Sequence, residues 1–120
     1  MILTIKKQEA AAMSLHMSIM RKSIRNMLKK RYPAHKKEWL SSFDYLANST
    51  RDFLEVSQEI GQLNLNIRDA EMLNEFIRAY QQQIEADKQL QKQLKDADKE
   101  QLELLTAVQI RCKELICSVS

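Results

Sequence analysis

The side chains best suited to chemistry in this chain are two histidines and two cysteines, and their spacing predicts no active site. His16 and His35 fall on different segments, and the Glu-x-x-His pair of di-iron helical proteins does not occur. Neither His-Glu-x-x-His nor Cys-x-x-Cys occurs, which excludes the zinc sites with those signatures. A single glycine excludes a glycine-rich phosphate loop. The sequence therefore predicts no enzyme, no metal and no cofactor.

The two cysteines are predicted to be reduced. Cys112 and Cys117 would point about 140° apart around a helix, which is poor geometry for a mutual disulfide. Cys112 continues an apolar pattern and is predicted to be a buried thiol. The segment Cys117-Ser118-Val119-Ser120 also fits the C-a-a-X prenylation pattern, although no polybasic run precedes it. A prenyl anchor is therefore left open as a minor alternative.

Basic side chains are concentrated in the first third of the chain. Residues 1–37 carry a formal charge of +9, and residues 38–120 carry −6. This segment could contact nucleic-acid phosphates or an acidic protein, or neighbouring helices could neutralise it. Little aromatic interleaving and no glycine-containing helix-turn-helix weaken the nucleic-acid alternative. The predicted basic binding surface consists of Arg21, Lys22, Arg25, Lys29, Lys30, Arg31, Lys36 and Lys37.

Two groups of apolar residues could contact a partner helix. Methionines in the first 27 residues repeat at helical spacing and are predicted to build the core, yet a loosely docked helix would offer them to a partner. The polar stretch 85–101 has only two large apolar residues, which could pair with a second chain in a coiled coil. The candidate partner contacts are Met13, Met17, Met20, Leu90 and Leu94.

The scarcity of glycine and proline argues for long helices, because sheet-rich folds use both residues at most connections. Tyr32-Pro33 ends the first helix, and Gly61 begins the best loop candidate. Asn66 with Asp69 predicts an N-cap, after which residues 67–117 form either one helix or two that meet near 96–98. The preferred helices span about 6–31, 34–60, 67–95 and 98–117.

These observations predict a single all-α domain, an antiparallel bundle of three to four long helices. The runner-up has three helices, the last projecting as a coiled coil. No apolar run approaches 18 residues, and the opening MILTIKK does not resemble a signal peptide, so a cytoplasmic location without a membrane span is expected.

The function predicted from the sequence is that of a small non-catalytic protein-binding module, such as an adaptor, chaperone, inhibitor or assembly subunit. It would act by recognising a helix face. The alternative is a nucleic-acid-binding protein that contacts phosphates through Arg21–Lys37. A protein partner or self-association is expected, and a small-molecule ligand is not.

Overall fold

The computed structural model describes residues 1–91 and 95–119, without the side chains of Leu90 and Gln91. Most of the described chain is helical, as predicted, but a two-stranded sheet is present as well. The helices are α1 (Lys7–Arg31), α2 (Lys36–Leu54), α3 (Ile67–Gln91) and α4 (Asp96–Val119), and the strands are β1 (Ile2–Lys6) and β2 (Ile60–Asn64).

The sheet is the main departure from the predicted all-helical fold. β1 pairs antiparallel with β2, with Leu3 opposite Leu63 and Ile5 opposite Gly61. Leu3, Ile5 and Leu63 alternate with exposed residues and are buried, which is the period-two pattern of a half-buried strand. The prediction that Gly61 begins a loop is therefore wrong, and the strand at Ile2–Lys6 was not predicted.

The first two helices follow the sequence pattern with one change of boundary. The α1 stripe of Met13, Met17, Met20 and Ile24 is buried, as predicted. The second helix was expected to reach residue 60 but ends at Leu54, because the chain must become extended at Ile60 to pair with β1. It continues without a break through Thr50, whose hydroxyl donates to the carbonyls of residues 46 and 47.

The segment after the sheet forms two helices, which confirms the two-helix alternative for residues 67–117. Asn66 and Asp69 exchange side-chain to backbone hydrogen bonds of 2.7 and 3.1 Å, the capping box expected before α3. α3 and α4 lie antiparallel and share a polar network in which Gln109 accepts from Gln81 and donates to Asn74. These bonds fix the register of the helix pair.

One continuous apolar core joins all six elements. α1 packs against α2 and α4, and α3 packs against α2 and α4. The buried Glu9 accepts from the Lys6 N–H and from Arg111, which ties the start of α1 to α4.

The outer dimensions are 39 × 38 × 27 Å. A bundle with one common axis would be long in one direction only, and a 25-residue helix is about 37 Å long. The antiparallel bundle arrangement is therefore not confirmed. Among the described residues, no helix is both long and apolar enough to cross a lipid bilayer.

Candidate binding surface

The basic residues predicted to bind a partner lie at one end of the molecule, on the second half of α1 and the first turn of α2. The turn between these helices is held in place locally. The Tyr32 and Trp39 rings stack with centroids 4.6 Å apart, and the His35 N–H donates to the Tyr32 carbonyl. The Trp39 N–H in turn donates to the His35 carbonyl. These contacts hold the backbone of the turn, and so position the cations on either side of it.

Two of the eight predicted cations form ion pairs with carboxylates on other helices. Arg21 donates two hydrogen bonds, of 3.0 and 2.9 Å, to the Asp44 carboxylate on α2. This hydrogen bonding, together with the charge of Asp44, raises the pKa of Arg21 above its ordinary value. Arg31 donates to Glu75 on α3 at 3.0 Å. Acidic residues on neighbouring helices therefore neutralise part of the basic segment.

The remaining six cations have no ion pair among the described residues. Five are exposed and Lys36 is half-buried. Because no ion pair neutralises these charges, they give this end of the molecule a positive electrostatic field. The six are Lys22, Arg25, Lys29, Lys30, Lys36 and Lys37.

Some of these cations line a cleft of about 500 Å³ between α1 and the start of α2. Arg25, Lys36 and Lys37 contribute unpaired positive charge, and Glu38 contributes one negative charge. The apolar part of the lining comes from Pro33, Ala34 and Leu40.

A larger cavity of about 580 Å³ lies farther along α2. Its lining combines Lys37 and Arg68 with Glu38 and Asp69, so its charges cancel. The cleft beside Arg25 is therefore the more selective of the two for an anion.

A second exposed feature lies on α1 and was missed by the sequence analysis. Leu15 and Ile19 are 52% and 64% exposed, one helical turn apart. They lie on the side of α1 opposite the methionine stripe, together with Ala11 and three polar residues that continue toward the basic end. The sequence pattern could have revealed them, since Leu15 and Ile19 are large apolar residues that lie outside the methionine stripe. We call Ala11, Leu15, Ile19, Lys22, Asn26 and Lys29 the outward face of α1.

The apolar residues that the sequence proposed as partner contacts are placed differently. Met13, Met17 and Met20 are at most 4% exposed and belong to the core. A partner would reach them only if α1 left the rest of the protein. Leu94 and the side chain of Leu90 lie outside the described residues.

Burial shifts the pKa values of three side chains that could do acid–base or thiol chemistry. Burial lowers the pKa of His16, although its contact with Gln101 and the charge of Asp98 oppose this effect. The His16 ring lies 4.5 Å from that of Tyr80, whose pKa is raised by burial and by Asp98. Burial raises the pKa of Cys112 to about 11, and its thiol contacts the Ala70 carbonyl at 3.1 Å. At neutral pH the Cys112 thiol is protonated and a poor nucleophile.

Within residues 1–91 and 95–119, no three His, Cys, Asp or Glu side chains lie close enough together to hold a metal ion. His35 lies exposed in the turn before α2, and Cys117 lies exposed near the end of α4. No protein-family model, curated protein or solved structure matches this chain.

Proposed function

We propose that this chain is a small non-catalytic protein-binding module that docks an acidic amphipathic helix on the outward face of α1. The observation that carries the proposal is the exposure of Leu15 and Ile19 beside unpaired lysines on one helix face. Exposed large apolar residues one turn apart are the anchors that a partner helix uses in groove and face recognition.

The distribution of charge along the face supports an acidic partner. Its first half is apolar, at Ala11, Leu15 and Ile19, and its second half carries Lys22 and Lys29. A partner helix with apolar residues at one end and carboxylates at the other would match both halves. Its carboxylates would also be attracted by the positive field of the six unpaired cations, which accelerates association at low salt.

The test uses a designed peptide as the probe. A 20-residue helical peptide with leucines on one face and glutamates elsewhere is titrated against the labelled protein, with fluorescence anisotropy as the readout. We expect binding that weakens about tenfold in L15S/I19S, since each lost apolar contact costs on the order of 1 kcal/mol or more. A peptide with lysines in place of the glutamates should not bind.

Ile110→Ser is the matched control, because Ile110 is 53% exposed on α4 and lies outside the outward face. It should leave the affinity unchanged. Equal affinities for the wild type and L15S/I19S would overturn the proposal. Sedimentation of the protein alone shows whether a second copy of this chain occupies the same face, in which case L15S/I19S would shift the oligomeric state.

Nucleic-acid binding is the second candidate, favoured by the six unpaired cations at one end of the molecule. If all six contact phosphates of a duplex, the plot of log K against log salt should have a slope of about −5. K22E/K29E should reduce that slope by about 2. In contrast to a partner helix, a nucleic acid should bind L15S/I19S as well as it binds the wild type. Absence of binding at low salt would eliminate this candidate.

A further inference from the structure

We propose that the cleft between α1 and the start of α2 binds a phosphate monoester, the dianionic group at the end of a nucleotide or of a 5′-phosphorylated strand. This site is separate from the outward face of α1, because neither Leu15, Ile19, Lys22 nor Lys29 lines the cleft. The proposal therefore does not depend on the docking of a partner helix.

The charge of the cleft matches a dianion. Arg25, Lys36 and Lys37 have no ion pair among the described residues, and Glu38 offsets one of their charges, which leaves +2. Arg21 also lines the cleft, but its two bonds to Asp44 neutralise it. A phosphate monoester carries close to −2 at neutral pH, and arginine and lysine are its usual protein donors.

The cations come from two elements whose relative position is fixed. Arg25 projects from α1, whereas Lys36 and Lys37 begin α2 after the turn that the Tyr32–Trp39 stack holds. The Arg21–Asp44 pair joins the same two helices beside the cleft. Such preorganisation lowers the entropic cost of collecting three cations around one anion. The positive end of the α2 dipole adds to the same field.

The walls of the cleft favour an ester over a free inorganic ion. Pro33, Ala34 and Leu40 provide apolar surface, and a volume of about 500 Å³ exceeds what a phosphate ion alone would fill. It lies in the range of small-molecule sites, about 300–1,000 Å³. The sequence did not predict a small ligand, because this cleft forms only where α1 and α2 meet.

The experiment is a calorimetric titration of the full chain with AMP, adenosine and inorganic phosphate in low-salt buffer. We expect AMP to bind at least about tenfold more tightly than either of the others. The variants R25Q, K36Q and K37Q should each weaken AMP binding about fivefold or more. K22Q and K29Q make the same charge change on exposed residues outside the cleft and should retain the wild-type affinity.

A second arm distinguishes the two sources of the phosphate. The affinity of a 5′-phosphorylated hexanucleotide is compared with that of its unphosphorylated form and with that of AMP. A strand that needs its 5′-phosphate to bind and binds more tightly than AMP assigns the cleft to strand ends. Tighter binding of AMP assigns the cleft to free nucleotides. Equal loss of affinity in K22Q, K29Q and the cleft variants would overturn the site, since it would indicate diffuse charge attraction. Equal affinity for AMP and adenosine, or no binding of AMP, would overturn it as well. Thermal melting of each variant confirms that it is folded.

Discussion

At the scale of single residues, Gly61 is the position where the fold leaves least room. A Cβ atom there would lie 2.3 Å from the Phe53 ring, well inside van der Waals contact. Glycine is required at this point because β2 passes directly over an aromatic side chain of α2. From the sequence alone, the same glycine was predicted to begin a loop, because its contact with Phe53 is not local in the chain.

Replacing Gly61 with alanine should therefore destabilise the protein. We expect a loss of about 1–3 kcal/mol in the free energy of unfolding, the usual cost of overpacking a site that can shift only slightly. Urea denaturation measures it. Q62A, at the exposed neighbour in the same strand, should change the stability by less than about 0.5 kcal/mol. If G61A and the wild type have the same free energy of unfolding, the Phe53 ring moves aside freely.

His16 makes stability depend on pH in a defined direction. Burial lowers its pKa in the folded state below the ordinary value of 6.5, so the unfolded chain takes up the proton more readily. The contribution of neutral His16 to the free energy of unfolding is therefore complete above pH 6.5. It is lost as the pH falls through 6.5 toward the lowered pKa of the folded state.

The variant H16Q should lack this contribution. The difference in unfolding free energy between the wild type and H16Q should shift against the wild type as the pH is lowered from 7.5 to 5. Urea denaturation at several pH values gives this difference, and other titrating groups cancel because both proteins share them. A difference that stays constant across the range would contradict the lowered pKa.

At the scale of elements, local signals predicted the helices well. The methionine stripe of α1, the stop at Tyr32-Pro33 and the Asn66–Asp69 capping box each involve residues within a few turns of one another. The strands could not be recognised in this way. Five alternating residues are a weak pattern alone, and β1 becomes a strand only because β2 lies beside it more than fifty residues later.

The capping box that begins α3 can be tested directly. Asn66→Ala removes the acceptor for the Asp69 N–H and should cost about 1 kcal/mol, the typical value for an N-cap residue. Asn64→Ala is the matched control, since the Tyr45 hydroxyl contacts only the backbone carbonyl of Asn64. Thermal and urea unfolding of the two variants should differ by that amount, and equal stabilities would assign no capping role to the Asn66 side chain.

The candidate site was predicted in part. The sequence identified the basic segment, but it could not show that Arg21 and Arg31 are paired with carboxylates on other helices. The methionines were named as candidate partner contacts, but the structure buries them and leaves Leu15 and Ile19 exposed. Which side of an amphipathic helix is covered is decided by its neighbours.

At the scale of the whole molecule, positive charge remains at one end after the internal ion pairs are formed. If that charge serves a partner rather than the fold, reversing it should leave folding intact. We expect K22E/K29E to unfold within about 0.5 kcal/mol of the wild type, as is usual for exposed positions without partners. A loss above that range, measured by urea denaturation, would mean that these lysines are neutralised within the chain.

The pairing of β1 with β2 also sets an order of events during synthesis. Leu3 and Ile5 are made first, but the strand that covers them follows only after both α1 and α2 have been translated. At about 5–20 residues per second, that interval lasts roughly 3–11 s. During this time β1 is exposed without β2, and a chaperone or another nascent chain can bind its apolar residues.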